Sequence, residues 1–260
     1  MLTSLIITTY NRPDALEKVI DSIAYQTVIP TEVIIADDGS SILTRNLIDR
    51  KINEYSFPIH HSWQEDKGFR LARSRNLAIK KTTGDYIIFV DGDVILEKNF
   101  VSDHLEQAET GCFLSGSRVL LSEHTTKKIL SSGTANLNFF SSGIENRKNT
   151  LRSKHLRNIL SFPSNKIKGI RGCNMSFFKE DCLKINGFNN NFIGWGREDT
   201  EFVIRFLNSG AKRKNLRFGG IQYHLWHGLE NNTSLEQNEK LLKEAIEEKI
   251  NFCANGINDV

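Results

Sequence analysis

A chain of 260 residues, 39% hydrophobic and 25% charged, has the composition of a soluble globular protein and is long enough for one large domain or two small ones. Its net charge of +3 is too small to imply nucleic acid as a partner. Cys112, Cys173, Cys182 and Cys253 show no Cys-x-x-Cys spacing, which excludes a zinc ribbon or disulfide scaffold and predicts reduced thiols in a cytosolic protein.

The opening Met1-Leu2-Thr3-Ser4 enters an apolar run at once, so no signal peptide is expected. No window holds the ~18 consecutive apolar residues of a transmembrane helix. Leu5-Ile6-Ile7-Thr8-Thr9 is a short β-branched run and predicts the first strand. Tyr10-Asn11-Arg12-Pro13-Asp14 breaks it, and Pro13 fits the first turn of a helix. Ala15, Leu16, Val19, Ile20 and Ile23 then recur at helical spacing. Glu32-Val33-Ile34-Ile35-Ala36 predicts a second buried strand, ending in Asp37-Asp38-Gly39-Ser40. A polar helix over 43–54 and a strand over Ile59-His60-His61-Ser62-Trp63 follow. After the polar loop Gln64-Glu65-Asp66-Lys67-Gly68-Phe69 comes a helix over 70–80, carrying Arg70, Arg73 and Arg75.

Tyr86-Ile87-Ile88-Phe89-Val90 reads as a strand buried on both faces, and it ends abruptly in Asp91-Gly92-Asp93. Two carboxylates beyond so apolar a strand need something to offset their charge. They suit a divalent cation, Mg²⁺ or Mn²⁺, with phosphate completing the shell, or they form an ordinary Asp-Gly turn. The first hundred residues thus alternate β-α-β-α-β-α-β, which argues a parallel sheet with helices on both faces. In such a sheet the ends at Thr8–Arg12, Asp37-Asp38 and Asp91–Asp93 share one edge, where ligands bind.

The second half is less regular. A helix over 100–108 and one strand over 112–120 are expected. From 122 to 170 the pattern weakens, and 147–171 holds eight Lys or Arg and no acid. That run is either a solvated helix pair or mobile loop, or a surface that meets an anionic acceptor or the acidic face of a membrane. A strand over 172–178 and a short helix over 180–185 precede Gly194-Trp195-Gly196-Arg197-Glu198-Asp199. Glu198 and Asp199 fall in the first turn of a helix running through Phe206 and Leu207, where the dipole favours carboxylates and keeps them ionised. A strand over 216–225 leads to His224-Leu225-Trp226-His227, two histidines able to point at one ion. An amphipathic helix over 234–252 closes the chain; its polar face is mixed in charge, which favours packing on the domain over membrane contact.

Four stretches carry a resemblance: Thr8-Thr9-Tyr10-Asn11-Arg12-Pro13, Ala36-Asp37-Asp38-Gly39-Ser40, Gln64-Glu65-Asp66-Lys67-Gly68-Phe69 and Asp91-Gly92-Asp93. With the block from Gly194 to His227 they make residues 3 to 228 resemble a family-2 inverting glycosyltransferase of the GT-A fold, similar to bacterial chondroitin polymerase domains and animal β-1,4-galactosyltransferases. The resemblance implies an α/β fold with a mostly parallel nucleotide-binding sheet flanked by helices. It implies one domain over 1–235, with a nucleotide-sugar half at 1–110, an acceptor and catalytic half at 111–235, and a C-terminal helix over 236–260.

It also implies roles. Thr9, Tyr10, Arg12 and Asp38 would hold the nucleoside, and Phe69 would pack on uracil. Arg75 would belong to the Arg-Asn pair after that loop. Asp91 would face ribose or metal. Asp93 and His227, with or without His224, would ligate Mn²⁺ or Mg²⁺ on the diphosphate. Trp195 would line the sugar pocket, Glu198 would bind the acceptor and Asp199 would be the base. The implied partners are a UDP-sugar of a hexose or N-acetylhexosamine, with galactose or N-acetylgalactosamine favoured and glucose-type donors open, and a glycan or lipid-linked glycan acceptor. The setting is bacterial surface polysaccharide synthesis in the cytoplasm, with peripheral contact to the inner leaflet. Two other readings stand beside it, a sugar-nucleotide pyrophosphorylase and a non-catalytic binding module. The loop after the first strand lacks the glycines typical of the former, while Asp93 and Asp199, whose loss the latter predicts, are both present.

Overall fold

A computed structural model describes residues 1–133, 137–167, 169–228 and 234–260. The first half alternates as expected: β1 (Thr3–Thr9), α1 (Pro13–Ala24), β2 (Glu32–Asp37), α2 (Ile42–Glu54), β3 (Ile59–Trp63), α3 (Leu71–Lys81) and β4 (Tyr86–Asp91). Then come β5 (Val94–Leu96), α4 (Phe100–Gln107), β6 (Cys112–Ser115), β7 (Val119–Leu121), α5 (Glu123–Ser132), β8 (Ile144–Glu145), α6 (Lys154–Leu160) and β9 (Pro163–Ser164). The chain ends with β10 (Asn174–Phe178), α7 (Lys179–Lys184), α8 (Glu198–Asn208), β11 (Lys212–Asn215), β12 (Gln222–His224) and α9 (Leu235–Glu247).

Among the described residues the strands form two sheets, ordered β3-β2-β1-β4-β10-β6-β11-β9 and β5-β12-β7-β8. In the larger sheet β3, β2, β1 and β4 are parallel neighbours. Strand β10 runs antiparallel to both β4 and β6, and β9 antiparallel to β11, so the other strands share one direction. The continuous apolar runs follow from a sheet covered on both faces. Leu5 and Ile7 of β1, Val33 and Ile35 of β2, and Ile88 and Val90 of β4 pack under α1, α2 and α4. The intervening Ile6, Ile34, Ile87 and Phe89 pack on the opposite core with α3 and α8. Two-residue periodicity thus feeds two cores from one strand. Each fully buried side chain of this kind contributes roughly 1.5–3 kcal/mol.

Three expected elements differ. The strand expected over 112–120 is two strands in different sheets, because Gly116-Ser117-Arg118 turns the chain between β6 and β7. The side chain of Asn174 fills the space a Cβ on Gly116 would need. The strand expected over 216–225 is confined to Gln222–His224; Phe218 at φ 54° and the following Gly219-Gly220 cannot extend it. The C-terminal helix stops at Glu247, and the tail instead tucks Ile257 into the core behind Asn186. The basic run is not all solvated either: Arg157 on α6 is fully buried. Lys168 of that run lies outside the described residues.

Candidate active site

The strand ends converge because their register is fixed. Thr8 lies opposite Asp91 and Thr9 opposite Asp37, and the Thr8 hydroxyl donates to Asp91 Oδ1 at 3.0 Å. Gly92 then crosses the end of β1 so closely that a Cβ there would sit 2.6 Å from the Thr8 carbonyl oxygen. This turn sends the chain into β5, whose partner is β12, with His224 opposite Val94. The Leu225 N–H donates to the Asp93 carbonyl at 2.8 Å. Sheet pairing therefore delivers the histidines, 131 and 134 residues away in sequence, to Asp93.

Asp93, His224 and His227 offer ligand atoms within 4.8 Å of one another. His224 Nε2 lies 3.5 Å from Asp93 Oδ1, and His227 Nε2 lies 3.5 Å from Oδ2. Asp93 Oδ1 is buried with no hydrogen-bond partner among the described residues. Burial pushes the Asp93 carboxyl above its ordinary range, against the pull of His227, Arg12 and Arg118. Burial and then the nearby Arg118 hold His224 down to about 4, so its ring is neutral and able to ligate. An orphaned carboxylate oxygen beside two imidazoles fits a divalent cation with N and O preference. Asp91 is also raised, by burial first and then by Asp93.

At the far end Asp38 accepts from the Arg70 N–H at 2.7 Å and from Gln64 Nε2. These bonds fasten the 64–70 loop over the end of β2 and present Phe69 to the cleft. Asp38 lies above its usual pKa range because burial outweighs those bonds. Its neighbour Asp37 is committed to structure, bonded to the Ser40 N–H and lying 2.8 Å from His61. The Tyr10 hydroxyl donates to Asp66 at 3.0 Å, and Arg12 Nη1 reaches Asp93 at 3.4 Å.

On the opposite wall α8 opens with Glu198 and Asp199. Arg75 comes up from α3, buried, with its guanidinium over the rings of Phe188 and Phe89. It donates to Glu198 Oε1 at 3.0 Å and lies 3.9 Å from Asp91. Glu198 is not held ionised by the helix dipole, as the sequence suggested. Burial first, then the charge of Asp199, raise it to about 7 despite Arg75, because desolvation of the charged form outweighs one exposed helix end. Asp199 accepts from the Gly172 N–H at 2.8 Å and from the Thr200 hydroxyl at 3.1 Å.

Every site residue expected from the sequence borders one cleft of about 930 Å³: Thr9, Tyr10, Arg12, Asp38, Phe69, Arg75, Asp91, Asp93, Trp195, Glu198, Asp199, His224 and His227. That volume suits a ligand of nucleotide-sugar size.

Residues 4–173 match the family model for glycosyl transferase family 2. The chain belongs to glycosyl transferase family 2. Residues 154–228 also match the model described as the N-terminal domain of galactosyltransferase. This family-2 chain is similar to the chondroitin synthase of Escherichia coli, at 26% identity over 268 residues, 96% of this chain and 38% of that protein. It is similar to the chondroitin synthase of Pasteurella multocida (strain Pm70), at 26% identity over 96% of this chain and 27% of that protein. It therefore spans less than half the length of either relative. The crystal structure of GalNAc-T7 with UDP, GalNAc and Mn²⁺ has the same fold, with a TM-score of 0.67 at 12% identity, covering 94% of this chain and 48% of that one. The architecture is the GT-A fold, and membership of glycosyl transferase family 2 weighs against the pyrophosphorylase reading.

Sequence reasoning missed Arg118, Arg171, Gly172 and Cys173, which line the same cleft of this family-2 chain. Gly116 was the local signal for Arg118, since it marks the break that places Arg118 in the connection between β6 and β7. Arg171 stood at the end of the basic run, but only the pairing of β10 against β4 brings its neighbour Gly172 to the cleft.

Proposed function

We propose that the chain is a metal-dependent inverting transferase that moves galactose or N-acetylgalactosamine from a UDP-sugar to a glycan hydroxyl. The acceptor is a free or lipid-linked glycan of bacterial surface polysaccharide, and the setting is cytosolic, in keeping with four buried free thiols. Residues 1–110 hold the donor, 111–235 complete the acceptor side, and the C-terminal segment from 236 packs behind it.

The single observation that carries this reading is the shared cleft, with the Asp93–His224–His227 cluster on one wall and Asp199 on the other. Two further findings support it: the match to the galactosyltransferase model, and the UDP, GalNAc and Mn²⁺ named for GalNAc-T7. Phe69 offers a ring for uracil and Asp38 retains lone pairs for the base, since each oxygen has accepted only one bond. Thr9, Tyr10 and Arg12 flank the nucleoside. Asp93, His227 and His224 would hold Mn²⁺ or Mg²⁺, which when bound neutralises the leaving diphosphate. Trp195 walls the sugar site. Glu198 accepts a hydrogen bond from the acceptor, and Asp199 takes the proton of the attacking hydroxyl. A single displacement at the anomeric carbon inverts its configuration and needs no second carboxylate as nucleophile.

The test is a screen of UDP-sugars for slow hydrolysis with Mn²⁺ and no acceptor. UDP release from UDP-galactose or UDP-N-acetylgalactosamine is expected. Release only from a GDP- or dTDP-sugar would overturn the donor assignment.

A further inference from the structure

Helix α9 lies beyond the residues that either family model matches, yet its first turns reach the cleft. Leu235 borders the cleft and packs close to Gly196, where a Cβ would lie 3.4 Å from Leu235 Cδ1. One turn on, Asn238 is 1% exposed. Its Nδ2 lies 3.0 Å from the Gly196 carbonyl, 3.3 Å from that of Ile193 and 3.4 Å from that of Trp195. The amide shares its two N–H groups among these three acceptors, and a flipped amide would set Oδ1 against three carbonyl oxygens. Its orientation is thereby fixed, although Oδ1 is left buried with no partner among the described residues. An unsatisfied buried acceptor is unfavourable, so the bonds to the three carbonyls have to outweigh it.

The segment so held is Ile193-Gly194-Trp195-Gly196-Arg197. It brings Trp195 to the cleft and delivers Glu198 and Asp199 to the first turn of α8. Its backbone needs outside support. Gly194 at φ 77°, Gly196 at φ 99° and Arg197 at φ 78° all lie in the left-handed region, and Arg197 carries a side chain there. Such a conformation persists where its surroundings over-determine it. Two neighbours do so. The Gly194 N–H donates to the Phe69 carbonyl at 2.9 Å, which ties one end to the loop fastened on Asp38. Helix α9 ties the rest, through Asn238 on the carbonyls and through Glu239, which accepts from Arg197 Nε at 2.7 Å. Both partners of that ion pair are 44% exposed, so it contributes little. The buried amide of Asn238 is the stronger brace.

We propose that Asn238 is a positioning residue of the active site. From behind the cleft wall it sets the backbone from Ile193 to Arg197, and through that backbone the placement of the Trp195 ring and the Asp199 carboxylate. A displacement of about 1 Å at such groups can cost roughly 100-fold in rate. The effect on turnover rests on the roles proposed above for Trp195 and Asp199; the positioning does not.

The experiment compares the full chain with its Asn238→Leu and Asn238→Asp variants, which keep nearly the same size and remove the donors. Hydrogen exchange read by mass spectrometry should speed up by about tenfold or more in peptides covering 193–199. Hydrolysis of UDP-galactose and UDP-N-acetylgalactosamine with Mn²⁺ should fall by about 10- to 100-fold. The Kd for UDP with Mn²⁺ should stay within about twofold, because Asp38, Phe69 and Asp93 belong to other segments. Lys243→Ala, at an exposed position of the same helix, should match wild type in all three measurements. Unchanged exchange over 193–199 in both variants would overturn the proposal. So would a loss of UDP binding that keeps pace with the loss of hydrolysis, since α9 would then support the whole fold. A wild-type chain that hydrolyses neither sugar nucleotide would defeat the donor assignment, while the exchange measurement would still decide the role of Asn238.

Discussion

The Gly172 N–H donates to Asp199 Oδ2 at 2.8 Å, and the same glycine leaves the space that Arg75 occupies. A Cβ on Gly172 would lie 2.6 Å from Arg75 Nη2, and the Arg75 guanidinium is stacked on Phe188 and tied to Glu198. One residue thus orients the proposed base and admits the cation beneath the neighbouring carboxylate. Gly172→Ala should cost about 1–3 kcal/mol of stability through overpacking, and lower kcat by roughly 10- to 100-fold as Asp199 shifts. Its donor KM should be unchanged. A variant with wild-type kcat would show that Arg75 gives way freely.

Asp199→Asn keeps the shape and both hydrogen-bonding neighbours but removes the basic oxygen. Transfer should fall by about 10²- to 10⁴-fold. Calorimetric titration should still show metal-dependent UDP binding, because Asp199 does not contact the Asp93 cluster. Normal turnover would reassign the base.

Asp93→Ala removes the carboxylate shared by His224 and His227. UDP binding should become independent of Mn²⁺, and the Mn²⁺-induced rise in melting temperature should vanish. The single His227→Ala and His224→Ala variants should each lose part of that rise. If either histidine variant matches wild type, that ring lies outside the coordination sphere.

Glu198 carries a pH prediction. Its carboxyl is held near 7 against an ordinary 4.5, so the folded state binds this proton more tightly than the unfolded chain. The stabilisation is complete below about pH 4.5 and is lost as pH rises through about 7. Glu198→Gln, which mimics the protonated form, should therefore gain stability relative to wild type between about pH 5 and pH 8. Denaturation midpoints at those two pH values measure the difference. A constant gap would mean that Glu198 does not titrate in this range.

Much of the first hundred residues was legible because the pattern there is local and repetitive. Each of Leu5–Ile7, Val33–Ala36 and Tyr86–Val90 is too apolar to be anything but a doubly covered strand, and each ends in polar residues that cannot follow it inside. Parallel alternation then forces those ends onto one edge. The second half of the chain was harder to read, since its elements are short and depend on partners distant in sequence: β6 and β7 divide between sheets, and β12 is three residues long.

The sequence by itself determined the α/β alternation, the aspartate-tipped strands and the residue types available for phosphate, metal and proton chemistry, because hydrophobic periodicity and charge are carried by the residues themselves. Only the tertiary structure decided which groups meet and in what protonation state. Pairing of β12 with β5 sets His224 against Asp93, packing of α3 under α8 buries Glu198 beside Arg75, and the Asn238 amide of α9 takes hold of the backbone that leads into Glu198. Contact and desolvation arise from the whole fold, so a local pattern cannot encode them.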